Sequence, residues 1–332
     1  MINSFAFTNT GRLHTKELET FLMATLLADT NLFLWVDLEK PTPEETKEVL
    51  ERIFHFHPLS IDDCIMVSSA PKVEEYSPKE GDIFAPYLFF VIHAVDYNGQ
   101  NEQFATSELN FFLGKNFLVT YHDAPLRSVT TAVDRATKGT MQIARSPDRV
   151  AHTLLDLLVE NYKPALEELS LKVSDLEQLA LQCPGPETLA KILQIKKEVL
   201  HLRQIIGPQS AVIGRFAAGE FALIRPNLVP YYRNICDALY RINDQAHGYT
   251  DALTGILQVY LNMSSNQTGE VVKLLTLITV VTTPLMMIGT WYGMNFKDMP
   301  ELSWEHGYVL AAVAMLTSTA ATYLYFKKRK WF

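Results

Sequence analysis

Residues 274–296 read LLTLITVVTTPLMMIGTWYGMNF, and the fold turns on how this stretch is understood. From Leu274 to Tyr292 it runs for 19 residues without a charge, and a helix needs about 20 apolar residues to cross the hydrocarbon of a bilayer. A second uncharged run, Gly307 to Phe326, is 20 residues long. The loop between them carries Asp298, Glu301 and Glu305 against the single Lys297, and Lys327-Lys328-Arg329-Lys330 follows the second run. Basic residues collect on the cytoplasmic flank of a span. Two spans are therefore predicted, at about 271–292 and 307–326, in the cell's inner (plasma) membrane with both termini cytoplasmic. No basic segment followed by an apolar stretch opens the chain, so no secretory signal is expected and insertion rests on the C-terminal helices.

Upstream of residue 273 the texture is that of a globular protein. The 332 residues carry a net charge of −8, and that balance argues against nucleic acid, which needs clustered Lys and Arg on one surface. Cys64, Cys183 and Cys236 are odd in number and far apart in sequence. Small buried thiols in a reducing compartment are the expectation. The nearest imitation of a phosphate-binding loop, Gly214 to Gly219, is followed by Glu220 in place of Lys. No nucleotide partner is implied. No nucleophile-and-base constellation stands out either, and the chain is not read as an enzyme.

Residues 1–145 mix strand and helix signals and form a cytosolic α/β domain. Leu32 to Leu38 is a β-rich run, and Phe84 to Val95, Glu108 to Leu113 and Asn116 to Tyr121 read as further strands, the last two joined by a Gly114-Lys115 turn. Thr42-Pro43-Glu44-Glu45 reads as a helix start, with Thr42 as N-cap and Glu45 closing a capping box. Residues 146–270 are helical. One helix is expected from about Pro147 through Leu176, a break at Cys183-Pro184-Gly185-Pro186, and a second helix from Glu187 to Phe216 packed antiparallel on the first. The third, from about Leu228 to Tyr292, is roughly 100 Å long and serves first as a stalk and then as the first span. Residues 271–332 complete the membrane domain and its basic tail, so the fold class is an α+β membrane protein.

Every seventh residue of the long helix gives Asp237, Asp244, Asp251, Gln258, Ser265, Val272, Thr279 and Met286. Within the span Val272, Leu275, Thr279, Thr283, Met286 and Thr290 keep to one side through steps of three and four. Two readings of this stripe stand. Identical helices ringing an axis would line a cation path with carboxylates, hydroxyl oxygens and a dry constriction at Val272 and Leu275; alternatively, the aspartates are a solvated face and the threonines bond back to their own helix. Pro284 frees the carbonyl of Val280, which is tolerable where neighbours or water re-satisfy it. At the outer end, Asn295 offers a neutral amide oxygen and Gly293 lets the backbone approach, with Met294 between them. Such ligands suit an ion that keeps its water, as magnesium does.

The segment Tyr292-Gly293-Met294-Asn295-Phe296, followed by Met299-Pro300-Glu301-Leu302 and a span with a Lys-rich tail, resembles the CorA family of magnesium transporters. Trp35-Val36-Asp37-Leu38, His57-Pro58-Leu59-Ser60-Ile61-Asp62-Asp63, Pro71-Lys72-Val73-Glu74 and the run Glu108 to Thr120 are similar to that family's cytosolic domain. The resemblance implies a funnel-shaped homopentamer for passive uptake of Mg2+, with Co2+, Ni2+ and Zn2+ as further candidate ions, gated by cytosolic magnesium. It implies a selectivity filter at Gly293, Met294 and Asn295, a lining of Thr279, Thr283, Met286 and Thr290, and a hydrophobic gate at Val272 and Leu275. Asn234 stands where many relatives carry a sensing aspartate, which implies a sensing site that is either weakened or moved to Asp237, Asp244 or Asp251. Gly269 replaces a polar residue at the inner end. Competing readings are a zinc transporter of the same superfamily, with His55, His57 and His306 as candidate ligands, and a membrane-anchored coiled-coil scaffold.

Overall fold

The computed structural model describes residues 1–66, 70–79, 82–95, 106–138, 143–182, 185–295, 299–300 and 304–329. Cys183 and Pro184 of the expected break, Phe296, Lys297, Asp298, Glu301 and Leu302 of the expected loop, and Lys330 lie outside the described residues. By contact the chain divides into two compact units. One comprises Met1–Gln178 with Ala190–Ile256, the other Leu179–Leu189 with Leu257–Phe332.

The first unit is built on a seven-stranded mixed sheet. Its strands are β1 (Ile2–Thr8), β2 (Leu13–Lys16), β3 (Leu32–Glu39), β4 (Lys72–Tyr76), β5 (Tyr87–Val95), β6 (Thr106–Gly114) and β7 (Phe117–His122), in the order β2-β1-β3-β7-β6-β5-β4. Among the described residues only β3 and β7 pair in parallel. Phe33 to Leu38 of β3 and all six residues of β7 are buried, as a central strand covered on both faces requires. Side chains alternate across the sheet. Leu34, Val36, Leu38, Phe89, Phe112 and Val119 share one core with α1 (Thr20–Leu27), with α3 (Pro58–Ile65), and with the π-helical turn Lys47–Ile53 that continues α2 (Pro43–Thr46). The opposite face carries Phe33, Trp35, Phe90 and Phe111. Against it lie α5 (Pro147–Glu160) and Phe216 of α7 (Pro186–Ala218), whose ring is 5.1 Å from that of Phe90.

The capping box forms as read: Glu45 donates its N–H to Thr42 Oγ1 at 3.2 Å and Glu45 Oε2 accepts from the Thr42 N–H at 2.8 Å. Gly114 turns β6 into β7, and there a Cβ would meet the Phe117 ring at 2.3 Å. Only glycine leaves room for that ring to enter the core.

One helix was expected from Pro147 through Leu176, and the structure has two, α5 and α6 (Tyr162–Gln182). Pro164 is the cause, since it has no N–H for the carbonyl of Glu160 and its ring crowds that carbonyl. The antiparallel partner of α6 is α7, where Glu198 lies 3.9 Å from Lys172. Next comes α8 (Val229–Tyr292), a single helix of 64 residues that passes through Pro284 unbroken. Its early turns are held by Tyr249, whose hydroxyl donates to the carbonyl of Leu166 at 3.2 Å, and by His247, whose ring lies 3.1 Å from Arg203 of α7.

The second unit contains the membrane helices, the end of α8 and α9 (Gly307–Lys328), both long and apolar enough to cross a bilayer. Their apolar side chains are turned outward: Met287 is 72% exposed, Leu316 68% and Tyr308 87%. An apolar surface of that extent is stable only against lipid or other helices. Gly289, Gly293, Gly307, Ala311 and Ala312 line an apolar cleft of about 630 Å³ between α8 and α9.

Candidate functional site

The stripe read from the sequence stands on the outside of α8. Val272, Leu275 and Met286 are 55%, 64% and 64% exposed, and Thr279, Thr283 and Thr290 are exposed with them. Each of these threonines bonds back to its own helix. Thr279 donates to the Leu275 carbonyl at 2.9 Å, Thr283 to that of Thr279 at 2.6 Å, and Thr290 to that of Met286 at 2.5 Å. A hydroxyl has one hydrogen and two lone pairs. With the hydrogen committed to the backbone, each oxygen is left as an acceptor directed away from the helix, able to take a hydrogen bond from water. Back-bonding and lining are therefore compatible.

At the end of α8 the N–H of Gly293 is shared between the carbonyls of Gly289, at 3.1 Å, and Thr290, at 3.2 Å, and the N–H of Met294 reaches that of Trp291 at 3.4 Å. A Cβ on Gly293 would lie 3.2 Å from the Gly289 oxygen. The turn that ends the helix is thus tight against its own carbonyls, and glycine keeps it so. Beyond it Met294 and Asn295 are exposed, so the amide of Asn295 is presented at a helix end and not packed into a core.

The three aspartates are exposed on α8. Successive members are separated by two helical turns, roughly 10 Å along the axis, so a single chain does not bring them together. No ion pair among the described residues joins any of them, and no three His, Cys, Asp or Glu side chains among the described residues converge as metal ligands. Asn234 is likewise exposed. Within one chain each position of this column offers a cation a single carboxylate.

The candidate zinc histidines belong to no cluster of three or more His, Cys, Asp or Glu ligands among the described residues. His57 caps α3, its Nδ1 accepting from the Leu59 N–H at 3.2 Å. His55 is exposed in a left-handed backbone conformation, φ 54°, and His306 precedes α9. Cys64 and Cys236 are free and buried. Burial, reinforced by the carboxylates of Asp123 and Glu108, pushes the Cys64 thiol well up, which keeps it protonated. These thiols behave as small hydrophobes.

Missed from the sequence was a polar cluster of Glu108, Asn110 and Asp123 at one end of the sheet. The alternation of β6 is its one signal, since a polar Asn110 interrupts the buried face.

Residues 31–328 match the family model described as CorA-like Mg2+ transporter protein. The chain is 30% identical over 312 residues to the cobalt/magnesium transport protein CorA of Thermotoga maritima, covering 91% of this chain and 84% of that protein. It is 26% identical over 312 residues to the magnesium transport protein CorA of Helicobacter pylori strain 26695, covering 91% and 92%. Its fold is similar to the complete structure of the CorA magnesium transporter from Methanocaldococcus jannaschii, with a TM-score of 0.82 at 16% identity over 100% of this chain and 99% of that one.

Proposed function

This chain belongs to the family of CorA-like Mg2+ transporter proteins, and from that membership we propose that it carries magnesium passively into the cell as a homopentameric channel gated by cytosolic magnesium. Membrane transport of divalent cations, and not catalysis, is the activity of this family. The finer reading rests on one observation. An exposed stripe of α8 leads from Val272 and Leu275 through acceptor-only threonine oxygens to the turn at Gly293 and the outward amide of Asn295.

In this reading five copies place the stripe around one axis. Asn295 amides and Gly293 carbonyls hold the hydrated ion at the mouth, and Met294 wedges against the neighbouring helix. Oxygens of Thr290, Thr283 and Thr279, with Met286 between, pass the water-clad ion along. Val272 and Leu275 form a ring that excludes water when closed. Residues 1–145 are the cytosolic sensor domain, 146–270 the helical stalk and 271–332 the membrane domain, with both termini cytoplasmic in the inner membrane. Asp237, Asp244 and Asp251, facing other subunits, bind Mg2+ better in the closed ring and bias it shut. Entry needs no fuel, because a divalent ion gains about 4.6 kcal/mol on crossing 100 mV into a negative interior. Co2+ and Ni2+ are expected to compete, as ions of similar size and hydration.

The test is flux of Mg2+ into proteoliposomes under an inside-negative potential, in competition with Co2+, Ni2+ and Zn2+, together with the particle mass. Voltage-driven Mg2+ entry by a five-chain particle is expected. A preference for Zn2+ would move the assignment to the zinc branch, and a particle without flux would favour a scaffold.

A further inference from the structure

At the end of the sheet where β5 finishes and β6 begins, a cavity of about 360 Å³ lies apart from α8. Three strands supply its floor. Glu108 on β6 pairs across the ladder with His93 on β5, Asn110 on β6 pairs with Tyr121 on β7, and Asp123 follows Tyr121 by two residues. Because strand side chains repeat with a period of two, Glu108 and Asn110 point to the same side. Cys64 of α3 and His201 of α7 complete the wall.

Asn110 is 2% exposed, and its Oδ1 has no hydrogen-bond partner. A buried acceptor is almost always paired in a folded protein, and this one lines the cavity. Two carboxylates stand beside it, in a lining that also holds His93, His201, Thr106 and Ser107. Asp123 supplies one carboxylate of the lining and Glu108 a second. No lysine or arginine is among the described residues that line the space. Burial, with Asp123 beside it, pushes the Tyr121 phenol up to about 12.

We propose that this cavity binds a small cation that donates hydrogen bonds, with Asn110 Oδ1 as the buried acceptor and the carboxylates of Glu108 and Asp123 as counter-charges. The same chemistry has two sources, a protonated primary amine or a divalent ion that keeps its water shell. No three His, Cys, Asp or Glu side chains among the described residues converge closely enough to strip an ion. A metal would therefore bind through its water. The site stands independently of the pore, because none of its residues belongs to α8.

The experiment titrates the full-length protein by calorimetry with putrescine, with MgCl2 and with hexaamminecobalt(III), whose ammine donors do not exchange. Wild type is compared with Glu108→Gln/Asp123→Asn. Wild type is expected to bind one equivalent per chain more than the double variant, or to bind it about tenfold more tightly, the loss expected for charge-assisted hydrogen bonds. A difference with putrescine alone assigns the site to amines. A difference with hexaamminecobalt and MgCl2 assigns it to a hydrated ion. Identical isotherms for wild type and variant with all three probes overturn the proposal. Should the double variant unfold, Asp123→Asn alone, at an exposed position, is expected to weaken binding several-fold, and no weakening there overturns it equally.

Discussion

His122 Nε2, on β7, lies 3.2 Å from Oδ1 of Asp37, on the parallel strand β3, and both side chains are almost wholly buried. The same carboxylate oxygen accepts the Thr120 hydroxyl at 2.6 Å, and Thr120 in turn accepts Trp35 Nε1–H at 3.2 Å. His122 Nδ1 is 2.6 Å from the carbonyl of Ala124. Both ring nitrogens thus face acceptors, which only the doubly protonated imidazolium satisfies. Burial opposes that charge, yet the bond to Asp37 and its charge outweigh it and raise the pKa.

Stability should therefore depend on pH in a stated direction. Because the folded pKa lies above the unfolded value of about 6.5, the contribution of His122 is complete below that value and is lost as pH rises through the folded one. We predict that the melting temperature of wild type falls between pH 6 and pH 9 more steeply than that of His122→Gln. His122→Ala, which leaves Asp37 charged and buried, should cost about 3 kcal/mol or more at pH 6. Parallel melting profiles for wild type and His122→Gln would show that the imidazole is neutral throughout.

Asn295→Ala is predicted to abolish Mg2+ uptake into proteoliposomes while leaving assembly intact. Its side chain is exposed beyond the last turn of α8, so its removal disturbs no core. In the proposed pore it removes the side-chain amide of the mouth. Undiminished uptake by that variant would sink the assignment of the filter.

How much of this was legible in the sequence differs between parts of the chain. The apolar runs and the long helix were readable because absence of charge and a helical period are local properties; α8 begins within one residue of the expected start and ends where expected, with Pro284 inside it. Strands β3, β5, β6 and β7 were legible from local composition too, each being rich in β-branched, aromatic and leucine side chains despite a few polar positions such as Asn110. The edge strands β2 and β4 were not, since LHTK and KVEEY carry polar residues that only the sheet context makes extended, and neither was β1, which lies between β2 and β3. The Asp37–His122 pair joins residues 85 apart, a closeness that only the parallel register creates. Of the site, the stripe was readable as a period, but the direction of the threonine hydrogens required coordinates.

The exposed apolar pair Val272 and Leu275 leads to a prediction about closure. A ring of such side chains gates by excluding water, so Leu275→Ser, which makes the ring wettable, should raise Mg2+ influx at high internal magnesium several-fold. Influx at low internal magnesium should change little, because the open path is already wet. If Leu275→Ser matched wild type under both conditions, Leu275 would lie on the lipid side of α8.

Asp244 and Asp251 test how the cytosolic end senses the ion. Asn234, where a carboxylate is expected for sensing, is neutral, while these two aspartates are exposed on the same helix and have no ion-pair partner among the described residues. Each presents a hard oxygen ligand to solvent, and at roughly 10 Å spacing they cannot share an ion within one chain. In the proposed pentamer magnesium held there bridges chains, and a bridge that exists only in the closed ring stabilises closure by its differential affinity. If cytosolic magnesium gates the channel as proposed, wild type falls silent at millimolar internal magnesium and Asp244→Ala/Asp251→Ala is predicted to keep current flowing there, with conduction at low magnesium unaltered. Should inhibition in the double variant match wild type, the two aspartates are a solvated face and sensing resides on another surface of the cytosolic domain.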